Sequence, residues 1–277
     1  MARLFHNKVV WITGGGSGIG RALALEFARS GARVAVSGRR REKLEDTVVE
    51  IKSAGGEGLA VTCDVTDEES IREAVAQVVS TWGGLDVAVA NAGYAVNGRI
   101  EALEAEKLRH QLDTNVVGAA MTAKHALPAL RLARGRMVFV SSVAGMVCYP
   151  GGGAYCASKF ALRAIGMTLA QEAHGTGVSV TTFYPGFVES EIGQVDNAGV
   201  YHAERVDQRP KRIMWSSERA ARLMMRAIGR RKRECVYTGH GKLLGWLGRH
   251  TPGLVHWAIA LGGGRSATDR MGERKTP

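Results

Sequence analysis

Val9-Val-Trp-Ile-Thr13-Gly14-Gly-Gly-Ser17-Gly18-Ile19-Gly20 carries the reading on which the fold turns. Five apolar or β-branched residues predict a buried strand, and the glycines that follow predict a tight turn. Leu23, Leu25, Phe27 and Ala28 then lie in a stretch with few breakers, which predicts a helix ending near Gly31. A glycine turn between a strand and a helix brings backbone N–H groups and the positive end of a helix dipole to one point, where a pyrophosphate is held. Gly14 permits the turn, Gly18 the close approach of backbone to phosphate, and Gly20 the close packing of helix on strand. Arg33–Ser37 reads as a second strand and closes a βαβ unit of about thirty residues.

The same alternation continues outward from this unit. A charged helix over 41–54, a strand over 59–63, a helix over 68–82 and a strand over 87–90 are predicted in turn. A long helical region over 104–132, a strand over 137–140, a helix over 154–174 and a strand over 178–183 follow. Short apolar strands alternating with helices imply a parallel sheet covered on both faces, an α/β, Rossmann-like, doubly wound sheet in three α/β/α layers. Residues 1–240 are expected to form one domain, with a polar loop or lid over 189–215. Ser216 and Ser217 cap a further helix, and a last strand is expected over 235–238. Residues 241–277 form a basic, apolar extension.

The chain has 277 residues, enough for one large α/β domain. No hydrophobic leader precedes the first strand, and no run of about eighteen apolar residues occurs, so a cytoplasmic protein is expected. Cys63, Cys148, Cys156 and Cys235 fit no zinc spacing and read as reduced thiols. Charge is uneven: residues 205–277 carry 17 Lys/Arg against 5 Asp/Glu, while residues 1–204 carry 20 against 21. The basic end lacks aromatic interleaving and any nucleic-acid-binding module, so no nucleic acid partner is expected.

Tyr155 and Lys159 are one helical turn apart, about 6 Å along the axis and on one face. An ammonium beside a phenol is expected to lower the phenol's pKa and make it a proton donor and acceptor. Ser142 precedes this helix on a Gly/Pro-rich loop and is placed to hydrogen-bond a substrate oxygen. Ser37-Gly38-Arg39-Arg40-Arg41 ends the second strand with no acid. Arg39 there suits a ribose 2′-phosphate, predicting NADP(H) over NAD(H), while Arg40 and Arg41 read as a solvated charge run. Asp64 suits either an adenine amino group or a helix cap with Thr66 and Asp67. Asn91-Ala92-Gly93 supplies small residues where the chain passes under a cofactor. Asn115 lies mid-helix, where Asn disturbs the hydrogen-bond ladder.

Taken together, Thr13-Gly-Gly-Gly-Ser-Gly-Ile-Gly20, Asp64, Asn91-Ala-Gly93, Asn115, Ser142, Tyr155-x-x-x-Lys159 and Pro185-Gly186 resemble the short-chain dehydrogenase/reductase family. The resemblance covers residues 5–240. It implies catalysis by Asn115, Ser142, Tyr155 and Lys159: Tyr155 exchanges the proton, Ser142 holds the oxygen, and Lys159 binds ribose and lowers the Tyr155 pKa. Asn115 would hold a water linking Lys159 to solvent. Cofactor contacts are implied at Gly14, Ser17, Gly18, Ile19, Gly20, Arg39, Asp64, Val65 and Asn91. Tyr155, Lys159, Pro185, Gly186, Val188 and Ser190 would complete them. Ala90 and Ser190 depart from the family's commoner Asn and Thr without removing chemistry. A homodimer or homotetramer is also implied.

These features predict hydride transfer between nicotinamide and a carbonyl or secondary alcohol. An apolar wall of Met146, Val147, Tyr149, Phe187 and Ile192 would favour a hydrophobic or lipid-like ketone. The alternative is a nucleotide-binding sensor or scaffold without turnover, which would have no need for Tyr155 and Lys159. Residues 239–277 hold two short apolar stretches broken by Arg249 and Pro252, with Trp246 and Trp257 and flanking cations. They are read either as a cover for the pocket or partner subunit, or as a peripheral membrane contact. This extension resembles that of membrane-associated reductases related to 11β-hydroxysteroid dehydrogenases.

Overall fold

The computed structural model describes residues 4–207 and 209–262; the extension's last part, 263–277, lies outside the described residues. The strands are β1 (Val9–Thr13), β2 (Arg33–Gly38), β3 (Glu57–Thr62), β4 (Val87–Ala90), β5 (Arg136–Val140), β6 (Ser179–Tyr184) and β7 (Glu234–Val236). They form one parallel sheet in the order β3-β2-β1-β4-β5-β6-β7. The order reverses between β1 and β4, which opens a crevice beyond their carboxyl ends.

Helices α1 (Gly18–Arg29), α2 (Arg41–Ser53) and α7 (Ser217–Gly229) cover one face. The other face carries α3 (Glu68–Trp82), α5 (Gly118–Leu132) and α6 (Gly153–Glu172), with the short α4 (Ala105–Leu112) leading into α5. Alternation along the strands feeds both layers. Val10, Ile12, Val34, Val36, Val87 and Val89 face the first core, and Val9, Trp11, Ala35, Ala88 and Ala90 the second. The expected doubly wound, single-domain α/β fold is therefore present.

The differences from the sequence reading are local. β3 starts at Glu57, two residues early, because its pairing with β2 runs the whole length of that strand. The last strand stops at Val236, short of the expected 238, because Thr238 turns to cap α8 (Gly239–His250) by accepting from the Gly241 N–H at 3.1 Å. The extension's two apolar stretches are α8 and α9 (Pro252–Gly262), separated where Pro252 starts a new helix. Residues 189–215 hold short 3₁₀ turns and two isolated bridges, Val188 with Trp215 and Val195 with Tyr201.

At Gly20 a side chain is excluded by backbone: a Cβ would run into the Gly14 carbonyl oxygen and lie 2.6 Å from Asn91 Nδ2. Gly20→Ala is expected to destabilise the fold by about 1–3 kcal/mol through overpacking. The midpoint of denaturant unfolding measures this; an unchanged midpoint contradicts it.

Candidate active site

The crevice is a cleft of about 580 Å³ at the carboxyl ends of the strands. Its floor is the glycine turn, with Gly14 and Gly18 at φ +64° and +50°. Asn91 pins that turn: its Nδ2 donates to the carbonyls of Thr13 (3.0 Å) and Gly14 (3.1 Å). Thr13 Oγ1 in turn accepts from the N–H groups of Asn91 and Ala92. Asn91 thus fixes the phosphate-binding turn as well as giving a small residue beneath the cleft.

Of the residues expected to hold a cofactor, Gly14, Ser17, Gly18, Ile19, Arg39, Asp64, Val65 and Asn91 line the cleft. So do Tyr155, Lys159, Pro185, Gly186, Val188 and Ser190. Gly20 does not line it and serves packing. Asp64 Oδ1 accepts from Thr66 N (2.9 Å) and Thr66 Oγ1 (2.8 Å) in a turn ahead of α3, whose cap is Asp67, and Asp64 faces the cleft. A bound dinucleotide fits this lining: glycines leave room at the turn, cations gather at one end, and a buried lysine stands at the other.

Ser142, Tyr155 and Lys159 come together at the other end. Ser142 leaves β5 on a turn, its Oγ accepting from Ala144 N at 3.1 Å. Tyr155 sits in the first turn of α6, with its hydroxyl beside the Ser142 side chain. Lys159 is 5% exposed; its Nζ donates to the Val140 carbonyl oxygen (3.1 Å) and lies 5.6 Å from the Tyr155 ring centre. Burial pushes the Lys159 ammonium down to about 8.

The expectation that Lys159 lowers the Tyr155 pKa is corrected here. Burial pushes the phenol up, and the Ser142 hydroxyl and the Arg209 cation recover only part of the rise.

Asn115 is fully buried behind the cleft and does not line it. Its Oδ1 accepts from Tyr94 N (3.1 Å), and its Nδ2 donates to Tyr94 O (2.9 Å) and Ser158 Oγ (3.0 Å). The ladder widens around it into a π turn, Asp113–Val117, between α4 and α5. Asn115 therefore braces the loop after β4 against α6.

Most of the expected apolar wall lies elsewhere. Ile192 lines the cleft, but Met146 and Val147 are packed beneath α8, and the Phe187 ring lies 5.5 Å from the His240 ring. Tyr149 is largely exposed over Gly152. Tyr94, Val195 and Val200 supply apolar lining instead.

Three basic residues escaped the sequence reading. Arg40 is no bystander: it pairs with Glu191 (2.5 Å), lies 5.1 Å over the Tyr201 ring and reaches Ser17 Oγ at 3.5 Å. Lys43, one turn into α2, lines the same end. Both were hidden in a charge run whose facing direction only the fold sets. Arg209 lies in the aperiodic lid, with no local signal; it pairs with Asp207 and donates to Val188 O (2.9 Å) and Ser190 O (2.8 Å). Arg39 donates to Gly199 O at 3.1 Å, so the lid crosses the cleft to the β2 end.

The short chain dehydrogenase profile matches residues 8–200. An "Uncharacterized oxidoreductase" of Myxococcus xanthus is 42% identical over 198 residues, 71% of this chain and 78% of that protein. A 2,5-dichloro-2,5-cyclohexadiene-1,4-diol dehydrogenase of Sphingobium indicum is 35% identical over 193 residues, 69% of this chain and 77% of that one. Among solved structures, an alcohol dehydrogenase from Thermococcus sibiricus complexed with 5-hydroxy-NADP superposes with TM-score 0.73 at 28% identity, covering 83% of this chain and 96% of its own. A Burkholderia phymatum short chain dehydrogenase/reductase in complex with NAD gives TM-score 0.76 at 25% identity, covering 84% and 89%.

Lys159 leaves a pH signature. Between pH 8 and 10.5 the unfolded chain keeps a proton that the folded chain releases, so this group's contribution to stability rises with pH across that window. Cys63 and Cys156, both pushed up to about 11 by burial, act in the opposite sense, so the effect is read as a difference. Wild type is expected to gain stability relative to Lys159→Met from pH 8 to pH 10 in urea titrations without cofactor. A gap independent of pH contradicts the burial of a titrating ammonium.

Proposed function

The chain belongs to the short chain dehydrogenase family, and from that premise we propose an NADP(H)-dependent oxidoreductase acting on a carbonyl or secondary alcohol, with a hydrophobic, lipid-like ketone as substrate. The observation that carries the reading is the meeting of Ser142, Tyr155 and Lys159 at one end of a cleft whose other end is a glycine turn. A bound nicotinamide supplies or accepts the hydride. Tyr155 gives its proton to the carbonyl oxygen in reduction and takes it back in oxidation. Ser142, beside that hydroxyl, holds the same oxygen. A phenol kept protonated by burial suits the reducing direction. Lys159 offers N–H donors to ribose hydroxyls, and Asn115 acts as a positioning residue. The apolar side chains of Ile192, Val195 and Val200 support a hydrophobic substrate.

The NADP(H) preference is supported by the missing acid at the end of β2 and by Arg39, Arg40 and Lys43 at one end of the cleft. A carboxylate would repel a 2′-phosphate; these cations attract it. A sensor or scaffold without turnover would leave the buried Lys159 and the Tyr155–Ser142 contact unused. The exposed Val117, Phe160 and Met167, on the π turn and α6, support a homodimer or homotetramer. The resemblance of the extension to reductases related to 11β-hydroxysteroid dehydrogenases rests on its Pro-Gly and basic composition; the profile match ends at residue 200.

Tyr155→Phe is expected to lower turnover of hydrophobic ketones with NADPH by about a hundredfold or more while leaving NADPH affinity in place. Turnover within about tenfold of wild type, a barrier change of about 1.4 kcal/mol, rejects the assignment.

Arg39→Ala is expected to weaken NADPH binding about tenfold and leave NADH binding unchanged, as read by titration calorimetry; loss of one charge-assisted contact sets that scale. Equal wild-type affinity for both dinucleotides rejects the NADP(H) preference.

A further inference from the structure

Helix α8 is built inside out. A surface helix ordinarily turns its large apolar residues inward and its small or polar ones to solvent. In α8 the inward face is Gly241, Gly245 and Gly248, spaced by four and three residues and so on one side. A Cβ would stand 3.0 Å from Val143 Cγ2 at Gly241, 2.8 Å from Met146 Sδ at Gly245 and 2.6 Å from Val147 Cγ2 at Gly248. The glycines let the helix axis lie close on the loop that follows Ser142. Leu243 and Trp246 point the other way, 60% and 56% exposed. α9 continues the surface with Leu254, Trp257 and Leu261, at 56%, 62% and 69%. The six named apolar side chains of α8 and α9, Leu244 with them, therefore face away from a body that has no need of them for packing.

The chemistry around this face identifies what covers it. No Asp or Glu occurs between residues 235 and 268, whereas Lys242 and Arg249 stand in α8. The nearest acid in sequence, Glu234, is taken up by Arg249 (2.6 Å) and the Tyr184 hydroxyl (2.6 Å). A second copy docked through the same face would bring Lys242 to a surface whose one neighbouring carboxylate, Glu234, is already engaged by Arg249 and Tyr184. An anionic lipid surface has the opposite charge and an apolar interior for the leucines. Its headgroup level also suits indole rings. At 12 and 11 residues the helices are about 18 Å and 16 Å long, too short to cross a bilayer. No helix among the described residues is long and apolar enough to do so.

We infer that α8 and α9 form a platform that lies on the surface of an anionic bilayer, Leu243, Trp246, Leu254, Trp257 and Leu261 entering the apolar layer. The platform rests on the Val143–Val147 loop beside Ser142, so the bilayer would lie on that side of the cleft. The inference is independent of the redox reading.

The test is co-sedimentation of the full chain with phosphatidylcholine vesicles, with and without phosphatidylglycerol, at low and high salt. Binding is expected with phosphatidylglycerol only, weakened by salt, with Trp emission moving to shorter wavelength. The exposed-site variant Leu243→Ser/Trp246→Ser/Trp257→Ser is expected to bind about tenfold or more weaker, with unchanged circular dichroism. Lys242→Glu is expected to lower binding to the anionic vesicles. Failure of the wild type to bind phosphatidylglycerol vesicles at low salt overturns the inference without any variant. So does equal binding by the triple variant, or sedimentation showing that the variant converts a vesicle-free dimer into a monomer.

Discussion

The architecture around the cleft depends on burying one ammonium. Lys159 is 5% exposed, and its proton is offered to the Val140 carbonyl at the end of β5. A cation withdrawn from water is costly unless polar groups converge on it. Several close approaches crowd around the same residue, at its ammonium and at its backbone. A Cβ at Gly93 would stand 2.9 Å from Asn115 Oδ1 and 3.6 Å from Lys159 Nζ; at Gly145 it would stand 2.6 Å from the Lys159 carbonyl oxygen. Ser141 Oγ donates to that same carbonyl at 2.9 Å, tying α6 to the end of β5. Asn115 completes the enclosure from behind, and the helix it belongs to accepts a π turn in exchange.

Burial also explains why local reasoning about Tyr155 and Lys159 was half right. Helical spacing put both side chains on one face of α6, as found. The sign of the phenol's shift, however, is decided by desolvation, a property of the assembled cleft that no four-residue spacing contains. The wall of the substrate end shows the same limit. Met146 and Val147 are apolar and adjacent to Ser142 in sequence, yet they are roofed by α8, a helix a hundred residues further along. Sequence neighbours of a site are not necessarily its lining.

What was legible was whatever repeats with the period of an element or punctuates it. The strands, the glycine turn, Asp67, Ser216 and the break at Pro252 could all be read, because each acts within a few residues. What was not legible spans the cleft. Arg40 gains its meaning from Glu191, 151 residues away, and Arg39 meets Gly199 across 160. These partners lie in a lid with no period, so nothing local marks them. Both bonds join the end of β2 to the lid, which makes the cation-rich end of the cleft also the place where the lid is fastened.

The two ends of the molecule's charge distribution then take on different physical roles. The cations of the β2–α2 turn face a concave cleft and are partly engaged by Glu191 and the lid backbone. Concave walls focus a field on a small anion. Of the last quarter's cations, Lys242 and Arg249 stand in α8, the helix that exposes Leu243 and Trp246. The glycine face of α8 connects the cleft to that exposed side. By lying close on the Val143–Val147 loop it fixes the turn that carries Ser142, and the same close approach leaves Leu243, Leu244 and Trp246 on the outer side. A helix with leucines on its inner face would stand further from that loop, so the packing that steadies the catalytic turn and the exposure of the apolar surface come from one choice of residues at 241, 245 and 248.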